Sequence, residues 1–184
     1  MKRRSVFAIF SSVAIVMLIA SLAPTEAQAQ YRSFEIYGGY YDPGLDVLDN
    51  DITLGLRYGR RLNPNFGWGL QAGFFDLNGD ADRPLAGTVG DASAYLVDAS
   101  AVWFVAGSNF GLFGGIGFAT VDVDVVGSTE DASDDAFTYH FGANYQWDLG
   151  SSFYIKPELR VRKFEGDTYE KSDTEYTVGL GWKF

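Results

Sequence analysis

Thr174-Glu175-Tyr176-Thr177-Val178-Gly179-Leu180-Gly181-Trp182-Lys183-Phe184 alternates apolar residues with polar or small ones to its last position. A period of two sends successive side chains to opposite faces, so the stretch reads as a strand with one apolar and one polar face. Asp51-Ile52-Thr53-Leu54-Gly55-Leu56-Arg57-Tyr58-Gly59-Arg60-Arg61-Leu62 and Phe66-Gly67-Trp68-Gly69-Leu70-Gln71-Ala72-Gly73-Phe74-Phe75 repeat the pattern. Frequent Gly, β-branched and aromatic residues disfavour helix in all three.

The same alternation marks eight segments, at 33–41, 51–61, 66–76, 94–105, 109–121, 136–147, 152–164 and 174–184. Each is near the roughly 9–11 residues that a tilted strand needs to cross a bilayer. The connections alternate in length. Leu62-Asn63-Pro64-Asn65, Ala106-Gly107-Ser108 and Asp148-Leu149-Gly150-Ser151 read as tight turns, whereas 42–50, 77–93, 122–135 and 165–173 are longer. Short turns at one end and long loops at the other fit an up-and-down antiparallel barrel in an outer membrane. An even strand number places both chain ends on the short-turn side, expected to be periplasmic.

The first residues agree with an envelope protein. Lys2-Arg3-Arg4 is a positive start, Val6 to Ala23 is largely apolar, and Ala27-Gln28-Ala29 fits a small-x-small cleavage site. The expected organisation is a signal peptide over 1–29 and one domain over 30–184. The net charge of −10 becomes about −12 once Lys2, Arg3, Arg4 and Glu26 are removed. A bulk basic patch for nucleic acid is absent. Without cysteine the chain has neither disulfides nor thiolate metal ligands. No later apolar run is long enough for a membrane-spanning helix.

Alternation does not say which face is buried. The apolar face carries most of the strand aromatics, including Phe34, Tyr58, Phe66, Phe118, Phe141 and Phe153. An eight-stranded barrel has an interior just wide enough for side chains, too narrow for so many rings. The other face is rich in Gly, interleaved with Arg57, Gln71, Asp98, Asn144, Lys156, Glu158, Arg160, Arg162 and Glu175. Trp68, Trp103, Trp147 and Trp182 all fall on the apolar face near short-turn strand ends, as an aromatic girdle at one membrane interface requires. The apolar face is therefore expected to meet lipid.

The terminal TEYTVGLGWKF, the DITLGLRYGRRL and FGWGLQAGFF strands and the loop alternation resemble the small OmpA/OmpX-type outer-membrane β-barrels. The resemblance implies an all-β fold, an eight-stranded antiparallel up-and-down transmembrane β-barrel integral to a bacterial outer membrane. It implies a monomer surrounded by outer-membrane lipid. It also implies that the C-terminal strand, ending on Phe184, is the signal read by the barrel-assembly machinery. OmpA-like proteins proper add a periplasmic peptidoglycan-binding domain, and that function is not carried over to this chain.

The inward polar set is expected to form one network: Glu35, Arg57, Gln71, Asp98, His140, Asn144, Lys156, Glu158, Arg160, Arg162 and Glu175. Register about the turns predicts Glu35 beside Arg57, Arg57 facing Gln71, Arg162 near Glu175, Asn144 near Lys156 and His140 near Arg160. Charges in a narrow interior must be paired and hydrogen-bonded, so a salt-bridged plug is the leading reading. An ion path is the alternative. Counting Arg61 and Lys183 as inward, basic residues outnumber acidic ones, and such a path would prefer anions. Hydrophobic cargo, as in the OmpW-like branch, would need an apolar lumen.

Some barrels of this size modify lipid A. The PagL deacylase type uses His and Ser two apart facing lipid; here His140 is followed two on by Gly142 and points inward. The palmitoyl transferase type carries a helix before the barrel, for which the start at Ser33 leaves no room. No enzyme activity, cofactor or specific metal site is expected. The long connections and their strand edges hold most of the acidic residues, from Asp42 and Asp51 to Glu165 and Asp173. Asp76-Leu77-Asn78-Gly79-Asp80-Ala81-Asp82 lacks the downstream Glu of a calcium loop. Loose screening by divalent cations and a structural or surface-interaction role are the expectations for these loops.

Overall fold

Nine β-segments close into one sheet in the computed structural model, which describes residues 31–42, 51–77, 92–123, 132–165 and 170–184. They are β1 (Arg32–Asp42), β2 (Asp51–Arg61), β3 (Phe66–Leu77), β4 (Ala92–Phe104), β5 (Phe110–Val123), β6 (Ala132–Tyr145), β7 (Trp147–Asp148), β8 (Phe153–Glu165) and β9 (Glu170–Lys183). β7 continues β6 past Gln146, so the nine segments make eight staves. All neighbours are antiparallel, β1 pairs with β9, and β6 pairs with β8 to close the barrel. Closure leaves no exposed sheet edge, the condition for strands to cross hydrocarbon. The signal peptide expected over 1–29 lies outside the described residues.

The alternation that defines the strands also sorts their faces. Phe118 is 69% exposed, Phe141 62% and Ile36 61%, while Arg162 and Glu175 are fully buried. This inversion of a soluble protein suits a lipid solvent. Trp103, Trp147 and Trp182 are exposed beside the short turns, with Trp68 half-buried in the same belt. Tyr58 was expected on the lipid face as well. It keeps that face, opposite Phe34 and Leu70, but is covered there, its ring 5.7 Å from that of Trp68.

The strands reach further toward the long connections than the sequence pattern indicates. Residues 132–135 and 170–173 were expected in loops but are paired strand. Asp173 is a consequence. Rather than joining an acidic rim, it is buried and accepts a hydrogen bond from the Tyr41 hydroxyl. The loop acids Asp46, Asp49, Asp80, Asp82, Asp91, Asp124, Glu130, Asp131 and Asp167 lie outside the described residues.

At the opposite end, β4 and β5 are joined by a single tight turn in which Ala106 (φ 51°) and Gly107 (φ 71°) are both left-handed. Such positive φ values suit glycine at 107 and strain the alanine. The β7–β8 turn closes with the Leu149 amide donating to the Phe153 carbonyl at 2.8 Å. The amide and carbonyl of Arg32 exchange bonds with those of Phe184, both at 2.9 Å, so the described chain starts and ends at this short-turn end.

Candidate functional site

The interior is a stack of three zones. Toward the long connections, Tyr41, Phe75, Ala94, Leu96, Ala119, Ala136 and Phe164 form one buried apolar cluster. The Tyr41 and Phe75 rings are 4.3 Å apart. The Arg162 guanidinium lies 5.9 Å from the Phe75 ring and 6.0 Å from that of Phe164, so the cluster rests directly on the charged zone.

Arg162 is the hub of that zone. Its two terminal nitrogens donate to Asp98 Oδ1 and Oδ2, each at 2.7 Å, and its Nε donates to Glu175 Oε1 at 2.7 Å. The fork geometry of guanidinium makes this bidentate arrangement specific to Arg. Arg160 links Asp98, at 3.1 Å, to Glu158, at 2.7 Å. Arg57 reaches Glu158 at 2.9 Å, Glu35 at 2.6 Å, Gln71 Oε1 at 2.8 Å and Thr177 at 3.0 Å. Lys156 ends the chain on Glu35 at 2.7 Å. Arg57, Lys156, Arg160 and Arg162 thus face Glu35, Asp98, Glu158 and Glu175, and these charges balance.

That balance removes the basic excess expected from the sequence. Arg61 does not join the network. It donates to the backbone carbonyls of Pro64, Gly107 and Ser108 and stacks over Phe104 at the short-turn rim. Lys183 pairs with Asp148 at 3.0 Å. Burial raises the Asp148 carboxyl, but hydrogen bonds from Gln146 and Lys183 outweigh it and hold that group below the usual carboxylate range.

Each residue of the expected network is inward, but the register of one hairpin differs. Glu35 opposes Arg57 and Arg57 opposes Gln71, as expected. Asn144 opposes Glu158 rather than Lys156, and His140 opposes Arg162 rather than Arg160. Arg162 is near Glu175 as expected, its Nε donating along the diagonal of the β8–β9 pair, where Arg160 stands directly opposite; the differences are confined to β6 and β8. The cause is the turn, which closes on Leu149 and Phe153, later than the 148–151 turn expected from the sequence.

Sequence reasoning missed two features of the interior. One is a set of inward aromatics: Tyr37, Tyr41, Phe75, Phe104, Phe113, Tyr154 and Phe164 are all buried. Several of the interior glycines make room for these rings as well as for charges. A Cβ at Gly55 or Gly73 would strike Tyr37, and one at Gly181 would strike Tyr154. The other is Ser100, whose Oγ lies 2.8 Å from His140 Nε2. Ser100, Gly115 and His140 are aligned across β4, β5 and β6, and only a glycine at 115 lets the imidazole lie across to the serine. The parity of β4 carries this signal, since Ser100 shares its face with Asp98.

The third zone is a cavity of about 80 Å3 between the charged network and the short-turn rim, lined by Ser33, Gly59, Gly69 and Ser100 among others. The described residues include no group of His, Asp and Glu arranged to hold a metal ion.

A closed all-antiparallel barrel, apolar outside and charged inside, defines an integral outer-membrane β-barrel. The chain belongs to the outer membrane protein β-barrel domain family, which matches residues 12–184. No curated protein matches the chain in sequence. It is similar to solved structures of the same fold. Ail, the attachment invasion locus protein of Yersinia pestis, in complex with the heparin analogue sucrose octasulfate, is 17% identical with a TM-score of 0.58, covering 86% of this chain and 100% of that one. The outer membrane protein OprG of Pseudomonas aeruginosa is 17% identical with a TM-score of 0.54, covering 83% and 95%. The N-terminal β-barrel domain of Pseudomonas aeruginosa OprF is 17% identical with a TM-score of 0.53, covering 84% and 97%. Identities this low establish the fold alone.

Proposed function

We propose that the protein is a non-conducting, monomeric outer-membrane barrel whose task is structural or lies at its acidic surface loops. The observation that carries this reading is the interior. An apolar cluster of buried side chains sits on a charge-balanced, hydrogen-bonded network, which supports a plug rather than a path. In this reading residues 1–29 are removed as a signal peptide, 30–184 form the barrel, both ends face the periplasm, and Phe184 is read by the barrel-assembly machinery. Outer-membrane lipid surrounds the aromatic band, and Trp68, Trp103, Trp147 and Trp182 anchor one interface.

The loops set the kind of partner. The Ail structure named above holds an anionic heparin analogue. Here the long connections are rich in Asp and Glu, so cationic partners and loosely bound calcium or magnesium are favoured instead. Catalysis is not part of the reading. Ser100 and His140 are in contact and Asp98 Oδ1 lies 3.8 Å from His140 Nδ1, but that carboxylate is committed to Arg160 and Arg162, and Arg162 sits directly opposite the imidazole. A proton taken from serine would have to rest among guanidinium charges, a poor arrangement for a general base.

The alternative, an ion path, is favoured only by the cavity at the short-turn end, which stops at Arg57, Glu158 and Arg160. Conductance separates the two. The refolded 30–184 chain in a planar bilayer is expected to show no steady unitary current, and stable openings from folded protein would overturn the plugged reading.

A further inference from the structure

The short-turn mouth of the barrel is covered in two halves of unlike strength. On the side of β2 and β4, Arg61 donates to the turn carbonyls of Pro64, Gly107 and Ser108, and its guanidinium lies 3.9 Å from the Phe104 ring. Charge-assisted bonds to backbone are the stronger kind, and they fix that half.

The other half is a clasp of side chains. The Tyr31 hydroxyl donates to Gln146 Oε1 at 3.1 Å, and Gln146 Nε2 donates to Asp148 at 2.7 Å. Asp148 pairs with Lys183 at 3.0 Å, and the Lys183 ammonium lies 5.4 Å from the Tyr31 ring. Tyr31 precedes β1 and Gln146 sits between β6 and β7, with β9 and β8 separating them in the wall. The tyrosine therefore reaches across the mouth rather than along the wall. Gln146 is buried although it stands at the rim, and both residues line the cavity of about 80 Å3 beneath them.

Tyr31 is the member of the clasp that can move. Its carbonyl accepts from the Arg61 amide at 3.0 Å, so its backbone is held. Its side chain is held by one neutral hydrogen bond and one cation–π contact, both weak beside the ion pairs deeper in the barrel. When the ring swings out, Gln146 and Lys183 both keep Asp148, and no charge loses its partner.

We infer that Tyr31 is a gate at the short-turn mouth, closed in this structure, that sets the exchange of water and small polar solutes with the cavity. Gln146 is its latch. The gate concerns the mouth alone, so it stands whether the charged zone above it is a plug or a path.

The test is the rate at which iodoacetamide alkylates a single cysteine placed in the cavity of the refolded barrel, read by mass spectrometry. The chain has no cysteine of its own. Gly69→Cys puts the thiol on the cavity wall, where a Cβ meets nothing closer than 3.4 Å. Ser100→Cys serves if that variant does not fold. Adding Tyr31→Ala is expected to speed alkylation about tenfold or more, and adding Tyr31→Phe, which loses only the latch bond, about threefold. Ala136→Cys, in the apolar cluster, is expected to react slowly whichever residue stands at 31. Unchanged rates in the cavity with both Tyr31 variants would overturn the gate. An equal acceleration at 136 would also overturn it, since the whole barrel would then have loosened.

Discussion

Replacing Asp98 by Ala is expected to lower the unfolding free energy of the barrel by about 3–5 kcal/mol, the cost of leaving a buried ionic partner uncompensated. Asp98 takes both terminal nitrogens of Arg162 and one of Arg160, and all three side chains are buried. Removing the carboxylate leaves two guanidinium groups competing for Glu158 and Glu175. Urea titration of the refolded protein in lipid vesicles gives the size of the loss. The double variant Asp98→Leu with Arg162→Met separates pairing from packing. If the pair matters because each charge neutralises the other, the double variant should lose less than the two single variants summed, by about 2 kcal/mol or more. Additive losses would mean that the charges are held independently.

Gly39→Ala is expected to prevent folding of the barrel, whereas Gly114→Ala is expected to be nearly silent. A Cβ at Gly39 would collide with the Tyr176 carbonyl oxygen and lie 2.6 Å from the Thr177 Cα. These are backbone atoms of β9 at the seam where the barrel is closed by the first and last staves. A side chain can turn away, but a paired strand cannot move without breaking its ladder. The cost should exceed the roughly 1–3 kcal/mol of ordinary overpacking. At Gly114 the nearest neighbour of a new Cβ, the His140 carbonyl oxygen, is 3.5 Å away, an ordinary contact. Migration of unheated against boiled samples on a gel reports the folded fraction. Folded Gly39→Ala at wild-type yield would show that the β1–β9 seam is looser than the structure has it.

The strands and their faces were legible because one physical fact, side-chain alternation at period two, governs both. It placed β2 at the residues observed and put Glu35, Arg57, Asp98 and Arg162 inside together. What stayed hidden depends on quantities that alternation does not contain. The inward aromatics are one case. Tyr40-Tyr41, Phe74-Phe75, Trp103-Phe104 and Phe153-Tyr154 are adjacent pairs, and alternation must send one ring of each pair into the barrel. The second ring of each pair is the buried one, and Tyr41 and Phe75 form part of the plug. Read as general hydrophobicity, the pairs look only lipid-facing.

Register is another case. A shift in where the 149–152 turn closes moved the partners of His140 and Asn144 along β8, although every residue kept its face. Turn geometry fixes register, and the four-residue stretch Leu149-Gly150-Ser151-Ser152 admits more than one closure. Strand length at the long-connection end was hidden for a third reason. Asp173 looks like a loop residue, but its carboxylate is stabilised by the Tyr41 hydroxyl of a strand distant in sequence. The Ser100–His140 contact is hidden in the same way, because it spans three strands.

The central claim is that the even-numbered residues of β9 face lipid while the odd-numbered ones face a closed interior. The chain has no cysteine, so single cysteines can be placed and spin-labelled one at a time without background. A nitroxide scan from Thr174 to Lys183 in lipid vesicles, reading collision with oxygen dissolved in the bilayer, measures the faces directly. High oxygen collision is predicted at 176, 178, 180 and 182 and low collision at 175, 177, 179 and 181. The reverse phase, or no period of two, would contradict the barrel as described.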